Sequence, residues 1–251
     1  MTFPGLRSTL AAVALLAGGT SLQAAPITYN FSGSDAGGTG SATMIIDVTG
    51  NTLTATLSNT SPTTLDDGTG VNTPGITGFG FNLSDPIPGI LSWSITAFLS
   101  DKTTVAIIGD SSGAGTWIID GTIGGMTLDV LACDDDPNCD AVQGALYNPA
   151  ATSGFGAPPN YFTDAVLTML FDGAPEVDAF IGDGNCNQPD PCSPFVRFQN
   201  VGLNGEGSLR LPGTPDDRPP QQIPEPGALV LLGLGLAAMG AVCRRRMMAS
   251  R

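Results

Sequence analysis

The sequence contains no histidine, and only 6% of its 251 residues are aromatic. Without histidine the chain lacks the commonest general base, the commonest zinc ligand and any Ser-His-Asp triad. Glycosidases use carboxylates alone, but this chain has only three glutamates, and no pair of acids stands out from its aspartate-rich loops. The composition therefore predicts a protein that is not an enzyme, and we expect no cofactor other than the calcium considered below.

Basic residues are also scarce, with nine against 23 acidic residues and a formal net charge of −14. Four of the nine lie in the last eight residues, and another, Arg7, lies near the N-terminus. The long central part keeps only Lys102, Arg197, Arg210 and Arg218. Such an acidic surface repels nucleic acid and attracts cations, so we expect no nucleic-acid partner.

The N-terminal segment has the pattern of a secretory signal peptide. Arg7 precedes an apolar run at residues 10–17, and small residues follow as far as Ala24 and Ala25. Cleavage after one of these two alanines would remove a segment that we place at residues 1–24. The pattern predicts that the remainder of the chain is exported.

The C-terminal segment is apolar and ends in a cluster of arginines. Between Glu225 and Arg244 lie eighteen uncharged residues, which as a helix would span about 27 Å, close to the hydrocarbon thickness of a bilayer. Arg244, Arg245 and Arg246 would remain cytoplasmic, as would the tail at residues 247–251. A buried core helix is the other interpretation of a short apolar run. We favour a short transmembrane helix, because a core helix rarely ends in three arginines close to a terminus.

Three features in order resemble a known sorting signal: the triplet Pro224, Glu225 and Pro226, the apolar span, and the arginine cluster. Together, at residues 224–246, they resemble the PEP-CTERM signal of exported proteins from Gram-negative bacteria. The resemblance implies recognition by an exosortase-type membrane transpeptidase that cuts near the triplet. It also implies an inner-membrane intermediate, followed by location at the cell surface or outside the cell.

The residues between the two targeting segments have the pattern of short strands. Met44, Ile46 and Val48 share one face of a predicted strand, residues 49–51 are predicted to form the turn, and a second alternating run follows, which predicts a hairpin. About ten such strands, separated by turn residues, predict an all-β fold at residues 25–210, an antiparallel sandwich or jelly-roll-like single domain. The proline-rich residues 211–223 are predicted to form a semi-rigid linker.

A stretch near the end of that domain also resembles the closing strand and loop found just upstream of PEP-CTERM signals. The matching residues are Phe195, Arg197, Phe198 and residues 205–208. This match favours a sandwich typical of such proteins, and it carries no catalytic residue.

Four cysteines form two loops of the same spacing, with five residues inside each. In an exported protein they are expected to be oxidised, and three pairings are open. We favour the local pairs, Cys133 with Cys139 and Cys186 with Cys192, because each loop contains its own turn-forming prolines. Each local disulfide would stabilise by roughly 2 kcal/mol, whereas a pairing between the loops would give about 4 kcal/mol.

Oxygen-bearing side chains lie in and beside these loops, in a pattern that calcium could use at an extracellular site. Neither loop completes an EF-hand, so solvated acidic loops with Asx turns are the alternative interpretation. The calcium candidates are Asp134, Asp136, Asn138, Asp140, Asp183, Asn185, Asn187 and Asp190.

These observations predict a non-enzymatic exported protein of the cell surface or extracellular matrix. The alternative is a carbohydrate-binding module associated with exopolysaccharide, with structural calcium as an optional feature. Its sugar contacts would come from exposed aromatic residues and from Asp and Asn in the loops of the sandwich. The long loop at residues 147–162 suits either a sugar platform or a lid over the core. The candidates are Trp93, Tyr147, Phe155, Tyr161 and Phe162.

Overall fold

A computed structural model describes residues 25–103, 105–120, 122–123, 126–134, 139, 144–150, 161–177 and 193–216. The predicted signal peptide, the second cysteine loop and the C-terminal sorting segment lie outside these residues. Within the described residues no helix is long and apolar enough to cross a membrane. The signal peptide and the transmembrane helix therefore stay predictions.

The described part of the chain contains fourteen strands and one short 3-10 turn at Leu203–Gly205. The strands are β1 (Ile27–Asp35), β2 (Gly38–Thr49), β3 (Thr52–Asn59), β4 (Gly75–Phe81), β5 (Ile90–Leu99), β6 (Val105–Asp110), β7 (Trp117–Ile119), β8 (Thr122–Ile123), β9 (Met126–Thr127), β10 (Val130–Asp134), β11 (Phe162–Phe171), β12 (Phe195–Val201), β13 (Gly207–Pro212) and β14 (Thr214–Pro215).

Seven strands form the first sheet, in the order β14-β1-β2-β3-β11-β5-β6, and every pairing is antiparallel. The predicted hairpin is confirmed as β2 and β3. Its turn is shorter than predicted, because Thr49 pairs with Thr52 and only Gly50 and Asn51 remain between the strands. Gly50 has a φ of 59°, which glycine adopts without a steric penalty.

The alternating residues of β1, β2 and β3 divide between the core and the solvent, as the period of two predicts. On the core side, every second residue is buried. These residues are Tyr29 and Phe31 in β1, Met44 and Ile46 in β2, and Ala55 and Leu57 in β3. The intervening residues are polar or partly exposed. The sequence pattern therefore placed the inner face of this sheet correctly.

Five further strands form the second sheet, in the order β13-β12-β4-β10-β7. Phe79, Phe81, Val130 and Phe198 extend from it into the same buried core as the inner residues of the first sheet. The two antiparallel sheets thus pack as a sandwich, which confirms the predicted all-β class. In the described residues the two sheets have seven and five strands, and the jelly-roll-like form stays a prediction.

The folded domain extends beyond the boundary predicted at residue 210. Leu211 is buried in β13, and β14 pairs with β1, with Thr214 opposite Asn30 and Pro215 opposite Tyr29. Residues 211–215 of the predicted linker therefore belong to the sandwich. Prolines are tolerated there because the strand lies at the edge of the sheet, where a missing N–H breaks no central ladder.

Candidate functional site

The predicted cysteines that the structure describes lie on the outer face of the five-stranded sheet. Along β10, Val130 and Ala132 enter the main core, whereas Leu131 and Cys133 point to the other side. There they form a second apolar cluster, which we call the outer cluster. Its members are Leu128, Leu131, Cys133, Cys139 and Phe195, and all of them are buried.

The outer cluster contains a disulfide between Cys133 and Cys139, as the local pairing predicted. Thr77 of β4 donates a hydrogen bond from Oγ1 to the carbonyl oxygen of Cys139, at 2.5 Å. A Cβ at Gly78 would lie 3.1 Å from the Cys139 sulfur, so the absence of a side chain lets the disulfide lie against the sheet. The predicted pair of Cys186 and Cys192 lies outside the described residues.

Asp134 is the one calcium candidate that the structure describes, and its carboxylate has a structural contact. The side chain is 2% exposed, and its Oδ2 accepts the N–H of Gly144 at 2.7 Å. Trp117 donates from Nε1 to the carbonyl oxygen of the same glycine, at 3.1 Å. Asp134 and Trp117 thus hold the chain at Gly144 through the N–H and the carbonyl oxygen of that one residue.

Calcium binding stays a prediction. Within the described residues, no group of three or more histidine, cysteine, aspartate or glutamate side chains is placed to hold a metal ion. The other candidates lie outside the described residues: Asp136, Asn138, Asp140, Asp183, Asn185, Asn187 and Asp190.

The predicted sugar-binding aromatics are mostly buried. Tyr147 and Tyr161 are each 5% exposed, and their rings pack edge to face with centroids 6.4 Å apart. Burial raises the pKa of Tyr147 to about 12, and the nearby charge of Asp134 contributes in the same direction. Trp93 and Phe162 are half-buried against the main core.

These two tyrosines therefore offer little exposed surface to a sugar. Both rings are used for packing, because burial of their apolar surface is favourable. Residues 151–160 lie outside the described residues, so the sugar platform and the lid both stay predictions for the loop at residues 147–162. Phe155 lies outside the described residues.

Several acidic side chains on the rest of the surface support local structure. The hydroxyl of Ser112 and then the N–H of Ala114 donate to Asp110 and lower the pKa of that carboxyl. The N–H and then the hydroxyl of Thr69 donate to Asp67 and lower the pKa of that carboxyl. Both acids are two residues before their first partner, which is the geometry of an Asx turn.

The second feature of functional interest is the sheet edge at which the domain begins and ends. The N–H of Asp216 donates to the carbonyl oxygen of Thr28 at 2.8 Å, and Thr214 Oγ1 donates to the carbonyl oxygen of Asn30 at 2.9 Å. Because β14 runs antiparallel to β1, the chain leaves the sandwich beside the residues at which it enters. Sequence analysis missed this contact, since a two-residue strand is too short to show a period.

Comparison with known proteins identifies the C-terminal segment. A family model described as the PEP-CTERM protein-sorting motif matches residues 222–246, which confirms the predicted resemblance and begins two residues before Pro224. The motif indicates an exported protein with an exosortase-type processing partner. No curated protein and no solved structure matches the chain.

Proposed function

We propose that this chain, which carries a PEP-CTERM sorting motif, is a non-enzymatic exported protein of the cell surface or extracellular matrix. Its N-terminal signal peptide directs export, and its C-terminal helix holds it in the inner membrane with Arg244, Arg245 and Arg246 on the cytoplasmic side. An exosortase-type transpeptidase then cuts near Pro224, Glu225 and Pro226. The sandwich is the part that is delivered.

The observation that carries the proposal is the position of the motif relative to the fold. The last described strand ends at Pro215 and is paired with the first strand of the domain. The matched motif begins at residue 222, beyond every described strand. A cut near Pro224 would therefore remove none of the described strands, as delivery of an intact domain requires.

Two further features support the proposal. The disulfide between Cys133 and Cys139 fits an oxidising compartment outside the cytoplasm. Asp67, Asp110 and Asp134 accept hydrogen bonds that hold turns or a loop, and this supports a structural use of acidic residues over a catalytic one.

The proposal is tested by recovering the protein from its producing cells and measuring its intact mass in each cell fraction. We expect wild-type protein to lack residues 1–24 and the segment beyond the triplet, and to contain oxidised cysteines. A variant with Pro224→Ala, Glu225→Gln and Pro226→Ala keeps the apolar span and the arginines. It should remain in the inner membrane with its C-terminus intact.

A matched control separates sorting from folding. Three substitutions on the exposed surface of the domain, Ser32→Ala, Ser92→Ala and Ser208→Ala, should leave processing and location unchanged. Wild-type protein found in the cytosol, at full length and with reduced thiols, would overturn the proposal.

A second function, binding of exopolysaccharide, is supported by the outer face of the seven-stranded sheet. One row of neighbouring residues across its strands contains Thr28, Ile45, Thr56, Val166 and Thr96. Threonine supplies a hydroxyl donor and acceptor beside a methyl group, which suits an uncharged polyhydroxylated chain. This face replaces the buried tyrosines as the surface that a glycan would contact.

A glycan array probed with the exported domain tests this second function. We expect the wild-type domain to bind a glycan on the array. Binding that is lost in Thr56→Lys and kept in Tyr147→Phe would support a glycan site on this face. An array without binding, or binding that Thr56→Lys leaves unchanged, would contradict a glycan site on this face.

A further inference from the structure

We propose that the interval between Asp216 and Pro224 is a length requirement for processing, because the sandwich fixes the point from which the sorting motif can extend. This inference rests on the proposed function and concerns how the transpeptidase reaches the same motif. Such a requirement depends on where the folded domain ends, on the length of chain that follows, and on the space beside a membrane.

The domain is held firmly up to Asp216. Leu211 is buried, the N–H of Gly213 donates to the carbonyl oxygen of Pro194 at 2.8 Å, and Asp216 is hydrogen-bonded to Thr28. A Cβ at Gly213 would lie 2.8 Å from Cγ of Pro194 and 2.9 Å from the Phe31 ring, so the backbone fits closely there. Residues before 217 cannot extend the spacer unless β14 separates from β1.

Only a short length of chain then remains before the triplet. Pro224 lies eight residues after Asp216, and at about 3.3 Å per residue this interval can span at most about 26 Å. The headgroup layer on one side of a bilayer takes up roughly 5 to 8 Å of that distance. The sandwich itself, at about 190 residues, has a diameter of roughly 40 Å.

While the triplet is presented to the transpeptidase, the distance between the domain and the membrane is therefore smaller than the diameter of the domain. The available length suffices to keep the sandwich outside the headgroup layer, but it leaves little excess. Removing five residues would reduce the interval to three residues, or about 10 Å when extended. The folded domain would then occupy the space in which a membrane enzyme must grip the triplet.

The experiment compares three full-length chains in the producing cells by intact mass. The first is wild type, the second lacks residues 217–221, and the third has these five residues replaced by Gly-Ser-Gly-Ser-Gly. The deletion lies after the last described residue, Asp216, and before the matched motif, which begins at residue 222. We expect loss of C-terminal processing in the deletion and normal processing in the replacement.

The outcomes separate the inference from the function on which it rests. Normal processing of the deletion, or loss of processing in the equal-length replacement, would overturn the length requirement while leaving the proposed function in place. A wild-type chain that is never cut would overturn the proposed function and the inference with it. The deletion should melt at the same temperature as wild type, and a lower value would assign residues 217–221 to the fold and contradict the inference.

Discussion

The two sheets of the sandwich differ in what covers their outer faces. In the seven-stranded sheet, β3 and β11 alternate between buried and partly exposed residues along their whole length. In the five-stranded sheet, every residue of β4 and β10 is buried. The first sheet is exposed to solvent on one face, whereas the second is covered on both. A period of two appears in a sequence only when one face of the sheet is solvated.

The central strand of the five-stranded sheet, β4, has small residues on the face that is covered. β4 places Phe79 and Phe81 in the core and Gly78 and Gly80 on the outer side. Cys139 lies over the first of these glycines, and Leu128 and Leu131 lie over the second. The outer face of the seven-stranded sheet has side chains at such positions instead, with threonine and serine along β3 and some aliphatic residues such as Ile45. Glycine therefore marks the face that receives a further layer, and threonine marks the face that meets water.

The largest expected difference is between two aliphatic residues on these outer faces. Leu131 is 0% exposed in the outer cluster, and Ile45 is 40% exposed on the seven-stranded sheet. Leu131→Ala should lower the free energy of unfolding by about 2 to 5 kcal/mol, because it leaves a cavity. Ile45→Ala should lower it by about 1 kcal/mol or less. Urea denaturation measures both, and equal losses would show that the two faces do not differ.

Alkaline pH should weaken the covered face at Tyr147. Its pKa rises from 10.0 to about 12 in the folded protein, because burial disfavours the phenolate and Asp134 adds to the effect. The stabilisation is complete below pH 10 and is lost as the pH rises toward 12, by about 2 to 3 kcal/mol. Unfolding curves across this range should show the loss in wild type and not in Tyr147→Phe. The same slope in both proteins would contradict this account.

Removing the disulfide tests how far the covering depends on its covalent link. Cys133→Ala combined with Cys139→Ala should lower the free energy of unfolding by about 2 kcal/mol, since the open loop gains conformational freedom in the unfolded chain. The matched control is Cys186→Ala combined with Cys192→Ala, which should leave the outer cluster intact. A first variant as stable as wild type would show that packing alone holds the covering in place.

The smallest expected effect belongs to an ion pair on the solvated sheet. Burial raises the pKa of Asp164, but hydrogen bonds from Lys102, Thr163 and Ser58 outweigh it and hold the pKa below 3.8. The contribution is present above that pH and is lost as the pH falls below it. We expect about 1 kcal/mol or less, because Lys102 is 45% exposed. Unfolding at neutral and acid pH should show this loss in wild type and not in Asp164→Asn. An equal acid-induced loss in that variant would assign the effect to other groups.

Sequence patterns predicted the parts of the fold in which the local order of residues determines whether each side chain is buried or exposed. The strands of the first sheet, the hairpin at Gly50 and the disulfide between Cys133 and Cys139 follow from alternation, turn chemistry and loop spacing. The covered sheet was harder, because its buried outer residues come together from separate connections. The tyrosines illustrate this difficulty: an aromatic residue in a polar loop has the same local sequence pattern whether it binds a ligand or packs against another aromatic ring.

The sequence by itself determined that this is an all-β chain with an acidic, histidine-free composition and a sorting motif at its C-terminal end. These properties depend on residue type and on spacing over a few neighbouring positions. Only the tertiary structure decided that Tyr147 and Tyr161 are buried, that Asp134 holds a loop, and that β14 joins β1. Each of these depends on contacts between residues distant in the chain, and such contacts form only when the two sheets and their connections pack together.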